Sequence, residues 1–226
     1  MIMGQDIILT APDGHSFGAY RCEPEGSPLG SVVVVQEIFG VNNHIRDVAE
    51  RFASIGWLTV APSLYDRWQP AFTGGYTPDD VASGRDLKEK ANAEAEKVIL
   101  DLGTARSAVA EAGKVGIVGY CWGGYATWLA ASRLNFQAAV AYYGGGIINS
   151  NDEQPKCPMI LHFGALDTSI PMTEVNAIRN AHPDVSVHVF DADHGFNCDQ
   201  RSQYDPRAAS VAAMLTERLF SENLRN

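Results

Sequence analysis

The sequence predicts an α/β fold, a mostly parallel central sheet with helices on both faces, in a single domain spanning residues 1–226. Three observations carry that expectation. Residues 31–36 contain four consecutive valines, the pattern of a strand buried on both faces of a parallel sheet. Short apolar runs then alternate with longer helix-patterned segments along the rest of the chain, which selects the doubly wound class. Finally, 226 residues suffice for one full α/β core, and no linker or internal repeat interrupts them.

Taken in order, residues 6–10 and 18–22 flank a Pro12-Asp13-Gly14 turn and read as an opening hairpin. After the valine strand, residues 44–55 have helical apolar spacing, and Gly56 stops them before a strand at 57–61. Residues 62–84 are rich in Pro, Gly and aromatics, including Tyr65, Trp68, Phe72 and Tyr76, and read as a loop. They follow the C-terminal end of a strand, where α/β sheets bind ligands. A long helix is expected over 86–112, a strand over 115–118 and a helix over 122–133. Strands at 138–143 and 159–163, a helix from Pro171, a strand at 185–190 and a helix from Pro206, capped by Asp205, complete the chain.

Composition narrows the function. The chain is 46% hydrophobic and 19% charged, as in a packed globular protein, and its formal charge of −10 argues against phosphate-driven nucleic-acid binding. Residues 1–14 lack the features of a secretion signal and no stretch approaches ~18 apolar residues, so no membrane association and a cytoplasmic location are expected. Cys22, Cys121, Cys157 and Cys198 show neither C-x-x-C pairing nor zinc-site spacing, so neither metal nor other cofactor is expected.

Gly119-Tyr120-Cys121-Trp122-Gly123 matches G-x-S-x-G with cysteine in the serine position, between a predicted strand and a predicted helix. A sharp turn there needs small neighbours, hence the glycines, and the helix N-terminus beside Cys121 favours a thiolate. Taken alone, Cys121 also reads as a small buried apolar residue. Two further residues stand just past strand ends, Asp167 after 159–163 and His194 after 185–190. Each alone fits a loop cap or a surface histidine. Together with Cys121 they run nucleophile, acid, histidine, the chain order of α/β-hydrolases, and are expected to converge. His162 and His188 fall within strands and read as structural.

At this point Gln36-Glu37-Ile38-Phe39-Gly40, Gly119-Tyr120-Cys121-Trp122-Gly123-Gly124, Tyr142-Tyr143-Gly144, Asp167 and His194-Gly195-Phe196 resemble the dienelactone hydrolase family, over nearly the whole chain. The resemblance implies an α/β-hydrolase fold and hydrolysis of an enol-lactone or ester without a metal. It assigns catalytic roles to Cys121, His194 and Asp167, and a role to Glu37, whose family counterpart meets the resting thiol and helps form the thiolate. It places an oxyanion hole at the backbone N–H groups of Ile38 and Trp122.

Arg85, Arg201, Phe39 and Tyr143 are the expected substrate-binding residues. Arg85 matches one of the two arginines that hold the substrate carboxylate in the family, and equally reads as a surface residue of the following helix. The position of the second arginine is Cys198 here, with Arg201 three residues further on. The expected partner is a small-molecule ester or lactone, and the expected state a monomer or weak dimer. Two other readings stay open, a broad carboxylesterase or thioesterase on the same scaffold and a non-catalytic ligand-binding or redox-sensing protein.

Overall fold

The computed structural model of the protein describes residues 3–225. Its centre is an eight-stranded sheet of β1 (Gln5–Thr10), β2 (Ser16–Cys22), β3 (Ser31–Val35), β4 (Leu58–Pro62), β5 (Val115–Tyr120), β6 (Ala138–Tyr142), β7 (Met159–Gly164) and β8 (Ser186–Phe190). The spatial order is β1-β2-β4-β3-β5-β6-β7-β8. The opening hairpin is antiparallel and β2 joins β4 antiparallel, while every pairing from β4 to β8 is parallel. The expected fold class is therefore the observed one.

Burial explains the strand sequences. All of β3, β4, β5, β6 and β7 is buried, whereas the edge strand β1 alternates between exposed and partly covered positions. Valines 32 to 35 are completely inaccessible, because helices cover both faces of the central strands and leave no polar side for them to show. The helices are α1 (Asn43–Ser54), α2 (Pro78–Ala93), α3 (Ala95–Ser107), α4 (Trp122–Arg133), α5 (Met172–Ala181) and α6 (Pro206–Leu224). Asn42 caps α1 through Ile45 N–H, and Asp205 caps α6 through Ala208 N–H at 2.8 Å, with Pro206 in its first turn.

The helix expected over 86–112 is corrected in two ways. It begins earlier, at Pro78, because Thr77 and Asp80 form a reciprocal capping box with Pro78 behind it. It also breaks at Glu94, whose backbone leaves the helical region at φ −122°, and α3 restarts directly after it. The break is stitched from both sides: Trp68 Nε1 donates to Glu94 at 2.9 Å, and Trp122 Nε1 donates to Asn92 at 2.9 Å. A single 3-10 turn at Ala110–Ala112 replaces the last predicted helical turn. The segment read as an aromatic loop thus ends in the first turns of α2, from Pro78, and Asn42 holds the loop before it by donating to Gly74 and Tyr76 at 3.3 Å.

No helix among the described residues is long and apolar enough to cross a membrane.

Candidate active site

The C-terminal ends of the parallel strands share one edge of the sheet, and the candidate residues stand there. Glu37 and Ile38 follow β3, Cys121 follows β5, Tyr143 follows β6, Asp167 follows β7 and His194 follows β8. Cys121 sits between β5 and α4 at φ 55° and ψ −119°, a left-handed conformation that costs a non-glycine residue of the order of 1–3 kcal/mol. Backbone bonds on both sides hold it there, from Cys121 N–H to Tyr142 O at 3.0 Å and from Gly124 N–H to Cys121 O at 2.9 Å. The strain lifts the side chain out of the sheet and sets it above the free N–H groups that open α4.

His194 and Asp167 meet Cys121 there. His194 Nε2 lies 3.2 Å from Cys121 Sγ, and Nδ1 lies 2.6 Å from Asp167 Oδ2. A carboxylate only accepts, so Nδ1 carries the proton and Nε2 faces the sulfur. Asp167 is itself fixed, since its Oδ1 accepts from Ser169 N–H at 2.8 Å, and its side chain is only 1% exposed. Burial by itself would lower the His194 pKa, but the facing Cys121 sulfur and the Asp167 carboxylate outweigh it and raise the value to about 10. The arrangement favours an imidazolium beside sulfur.

Tyr143 does not reach the cavity. It is completely buried, with its ring 5.0 Å from the His194 ring and 5.3 Å from Phe196, so it supports the histidine from below instead of lining the wall. Tyr143, expected to bind substrate, instead follows the end of β6 with its backbone at φ 38° and its side chain in the core. Phe39, Arg85 and Arg201 do line the cavity of ≈ 830 Å³, together with Ile38, Cys121, Trp122 and His194. Arg85 is there because α2 lies directly on the loop after β3: a Cβ at Gly84 would come within 2.3 Å of the Ile38 carbonyl oxygen. Only glycine permits that approach.

Glu37 is 1% exposed, and neither carboxylate oxygen has a hydrogen-bond partner among the described residues. Burial raises its pKa, against an opposing pull from Arg201, whose Nη1 stands 3.8 Å from Oε1. The thiol meets His194, not Glu37, so the contact that the family resemblance implies is absent from this arrangement. Cys198 is also completely buried, bonded to the Tyr76 hydroxyl at 3.2 Å, while Arg201 reaches the wall and lies over the Tyr76 ring at 5.8 Å. His162, buried in β7 with its pKa lowered by burial to about 3, bonds Thr216 at 3.2 Å and belongs to the core.

The profile of the dienelactone hydrolase family matches residues 17–224. A protein of Synechocystis sp., provisionally named a carboxymethylenebutenolidase, is 37% identical over 240 residues, covering 96% of this chain and 97% of its own. The carboxymethylenebutenolidase of Pseudomonas putida is 33% identical over 227 residues, covering 96% and 94%. The crystal structure of a provisionally named dienelactone hydrolase from Klebsiella pneumoniae superposes with a TM-score of 0.85 at 30% identity, covering 98% of this chain and 99% of that one.

Proposed function

This chain belongs to the dienelactone hydrolase family and is a carboxylic ester hydrolase, and from that premise we propose that it cleaves an enol-lactone or related ester through a thioester on Cys121. One observation carries the reading: a single imidazole bridges a buried carboxylate at 2.6 Å and a strained, cavity-facing thiol at 3.2 Å. In the proposed cycle His194 holds the proton of Cys121, and the thiolate attacks the substrate carbonyl. The oxyanion meets the N–H groups of Trp122 and Ile38, each such donor contributing about 3 kcal/mol to the transition state. Collapse expels the alkoxide or enolate, which takes the proton from His194 and leaves a thioester. His194 then activates water to release the acid and the thiol. Asp167 keeps the imidazole oriented throughout.

The test is turnover of a dienelactone beside simple aryl esters, with Cys121→Ala as control. A burst of aryl alcohol equal to the enzyme concentration marks the acyl-enzyme where its hydrolysis limits turnover; where acylation limits, partitioning of the acyl group between water and added thiol in one ratio for several aryl esters marks it instead, and a ratio that changes with the leaving group argues for direct hydrolysis. Iodoacetamide supplies a second expected result. Inactivation should track alkylation of Cys121, because burial pushes the thiols of Cys22, Cys157 and Cys198 up to about 11, whereas Cys121 stands at the cavity wall with His194 Nε2 at 3.2 Å. Peptide mapping after partial inactivation checks it.

Substrate charge is read, in this proposal, by Arg85 on α2 and Arg201 from the loop after His194, both on the cavity wall. Arg201 stands three residues beyond the position that carries the second arginine in the family, yet its guanidinium reaches the cavity. Each Arg→Ala change should lower kcat/KM for an anionic lactone by about 10-fold or more while a neutral ester of matched size changes far less. Equal losses for both substrates would assign the arginines to packing.

A further inference from the structure

Behind the catalytic residues the chain brings together three groups that the ester-cleaving cycle does not use as drawn. Glu37 follows β3, His44 lies in the first turn of α1, and Cys198 sits on the loop after His194. All three are buried, and one donor atom from each lies within 4.8 Å of the others. The burial is nearly complete, with Glu37 at 1% exposure and His44 and Cys198 at 0%. Neither oxygen of Glu37 and neither nitrogen of His44 makes a well-formed hydrogen bond among the described residues, and the neighbour of Glu37 is the Tyr143 hydroxyl, itself buried and without a well-formed bond. One oxygen of Glu37 and one nitrogen of His44 left without a partner cost about 1–3 kcal/mol each, and a group bound between them and Cys198 would satisfy both.

We propose that Glu37, His44 and Cys198 form a binding site for one thiophilic divalent cation, best matched by Zn²⁺. The donor chemistry selects the metal: a thiolate, a neutral imidazole and a carboxylate together suit zinc, whereas magnesium and calcium take oxygen donors alone. The spacing is compatible, because tetrahedral bonds of about 2.0–2.3 Å put donors about 3.3–3.7 Å apart, which side-chain rotation reaches from within 4.8 Å. Asp199 stands 3.8 Å from His44 Nδ1, beyond hydrogen-bond reach as it stands; with Nε2 on the metal, a small rotation would bring Nδ1–H onto that carboxylate, the arrangement that usually orients a metal-bound histidine. Tyr76, whose hydroxyl lies 3.2 Å from Cys198 Sγ, is placed to hydrogen-bond the coordinated sulfur. On binding, the thiol and any protonated carboxyl release their protons to solvent. Arg201, 3.8 Å from Glu37 Oε1, opposes the cation, so Oε2 is the ligand and the affinity is set by whether the guanidinium swings toward the cavity.

The site is independent of the catalytic reading, and so is its test, because Cys121 with His194 offers a rival thiol and imidazole. A Cys121→Ser background removes that thiol. Co²⁺ is titrated into this protein, followed by sulfur-to-cobalt charge-transfer absorption in the near ultraviolet, and Zn²⁺ binding is measured by equilibrium dialysis. The expected result is one equivalent with the thiolate signature. Adding Cys198→Ala should abolish the signature, and Cys198→Ala or His44→Gln should each weaken Zn²⁺ binding by at least about 100-fold. Circular dichroism identifies which variants fold, and either one alone decides the matter. Absence of the signature in the Cys121→Ser protein, or affinity unchanged in a folded variant, overturns the proposal and leaves an ordered water as the partner of the orphaned atoms.

Discussion

Replacing Cys121 with alanine is expected to lower kcat by about 10⁴-fold or more, while circular dichroism and the melting temperature show a folded protein. The side chain stands at the cavity wall, where removing its sulfur leaves the sheet and α4 in place. His194→Ala should cost a similar factor, and the double variant little more than either single one, because the two groups act as a unit. Asp167→Asn should fall by about 10⁴-fold for a different reason: the amide can donate to Nδ1, which turns the imidazole to the wrong tautomer. A titration of His194 by nitrogen NMR gives a readout that a merely structural role would leave unmoved. In the wild type the imidazolium persists to about pH 10, held there against burial by Cys121 and then Asp167, and Cys121→Ala should bring the value down. The sign for stability follows. A histidine raised from about 6.5 stabilises the fold fully below that pH, and loses the contribution as pH climbs through about 10. A near wild-type rate in any of the three variants would remove that residue from the mechanism.

The parts of the site written in local patterns were readable from the chain alone. The valine run of β3, the turn at Cys121 and the strand ends before Asp167 and His194 are each contained in a few residues, and topology then carries them to one edge of the sheet. The start of α2 was equally local, in Thr77-Pro78 with Asp80, but it lay inside a stretch whose aromatics and glycines pointed to a loop. The break at Glu94 carries no glycine or proline. It depends on Trp68 and Trp122, one before and one after it in sequence, whose indoles bond to either side of it. Tyr143 and the Glu37, His44 and Cys198 cluster belong to the same class, since which side chains share a pocket is decided by how separate elements pack. Arg201 shows the same limit from the other direction, for the reach of a long side chain on a loop has no periodic signature.

Gly123→Ala is expected to destabilise the protein by about 3 kcal/mol or more, a loss at the upper end for a single methyl group. Gly123 lies in the first turn of α4, two residues after the strained Cys121, and α4 rests there on the end of β3. A Cβ at Gly123 would come within 2.3 Å of the Gln36 carbonyl oxygen and 2.6 Å of the Val35 carbonyl oxygen. Both obstacles are backbone, so no side-chain rotation relieves the clash and either the strand end or the helix must shift. Glu37 and Ile38 follow Gln36 immediately, and Trp122 precedes Gly123. The same displacement therefore moves both proposed oxyanion donors, and kcat of whatever remains folded should fall as well. Gly103→Ala is the matched control, because a Cβ there meets nothing nearer than Leu134 at 3.7 Å. In the body of α3 that change should be neutral or stabilise by up to about 1 kcal/mol, since alanine restricts the unfolded chain and favours the helix. Urea unfolding of both variants decides the point: a Gly123→Ala midpoint close to that of Gly103→Ala would mean that the contact between α4 and β3 yields to an added methyl, and that the glycine is there for some reason other than close approach.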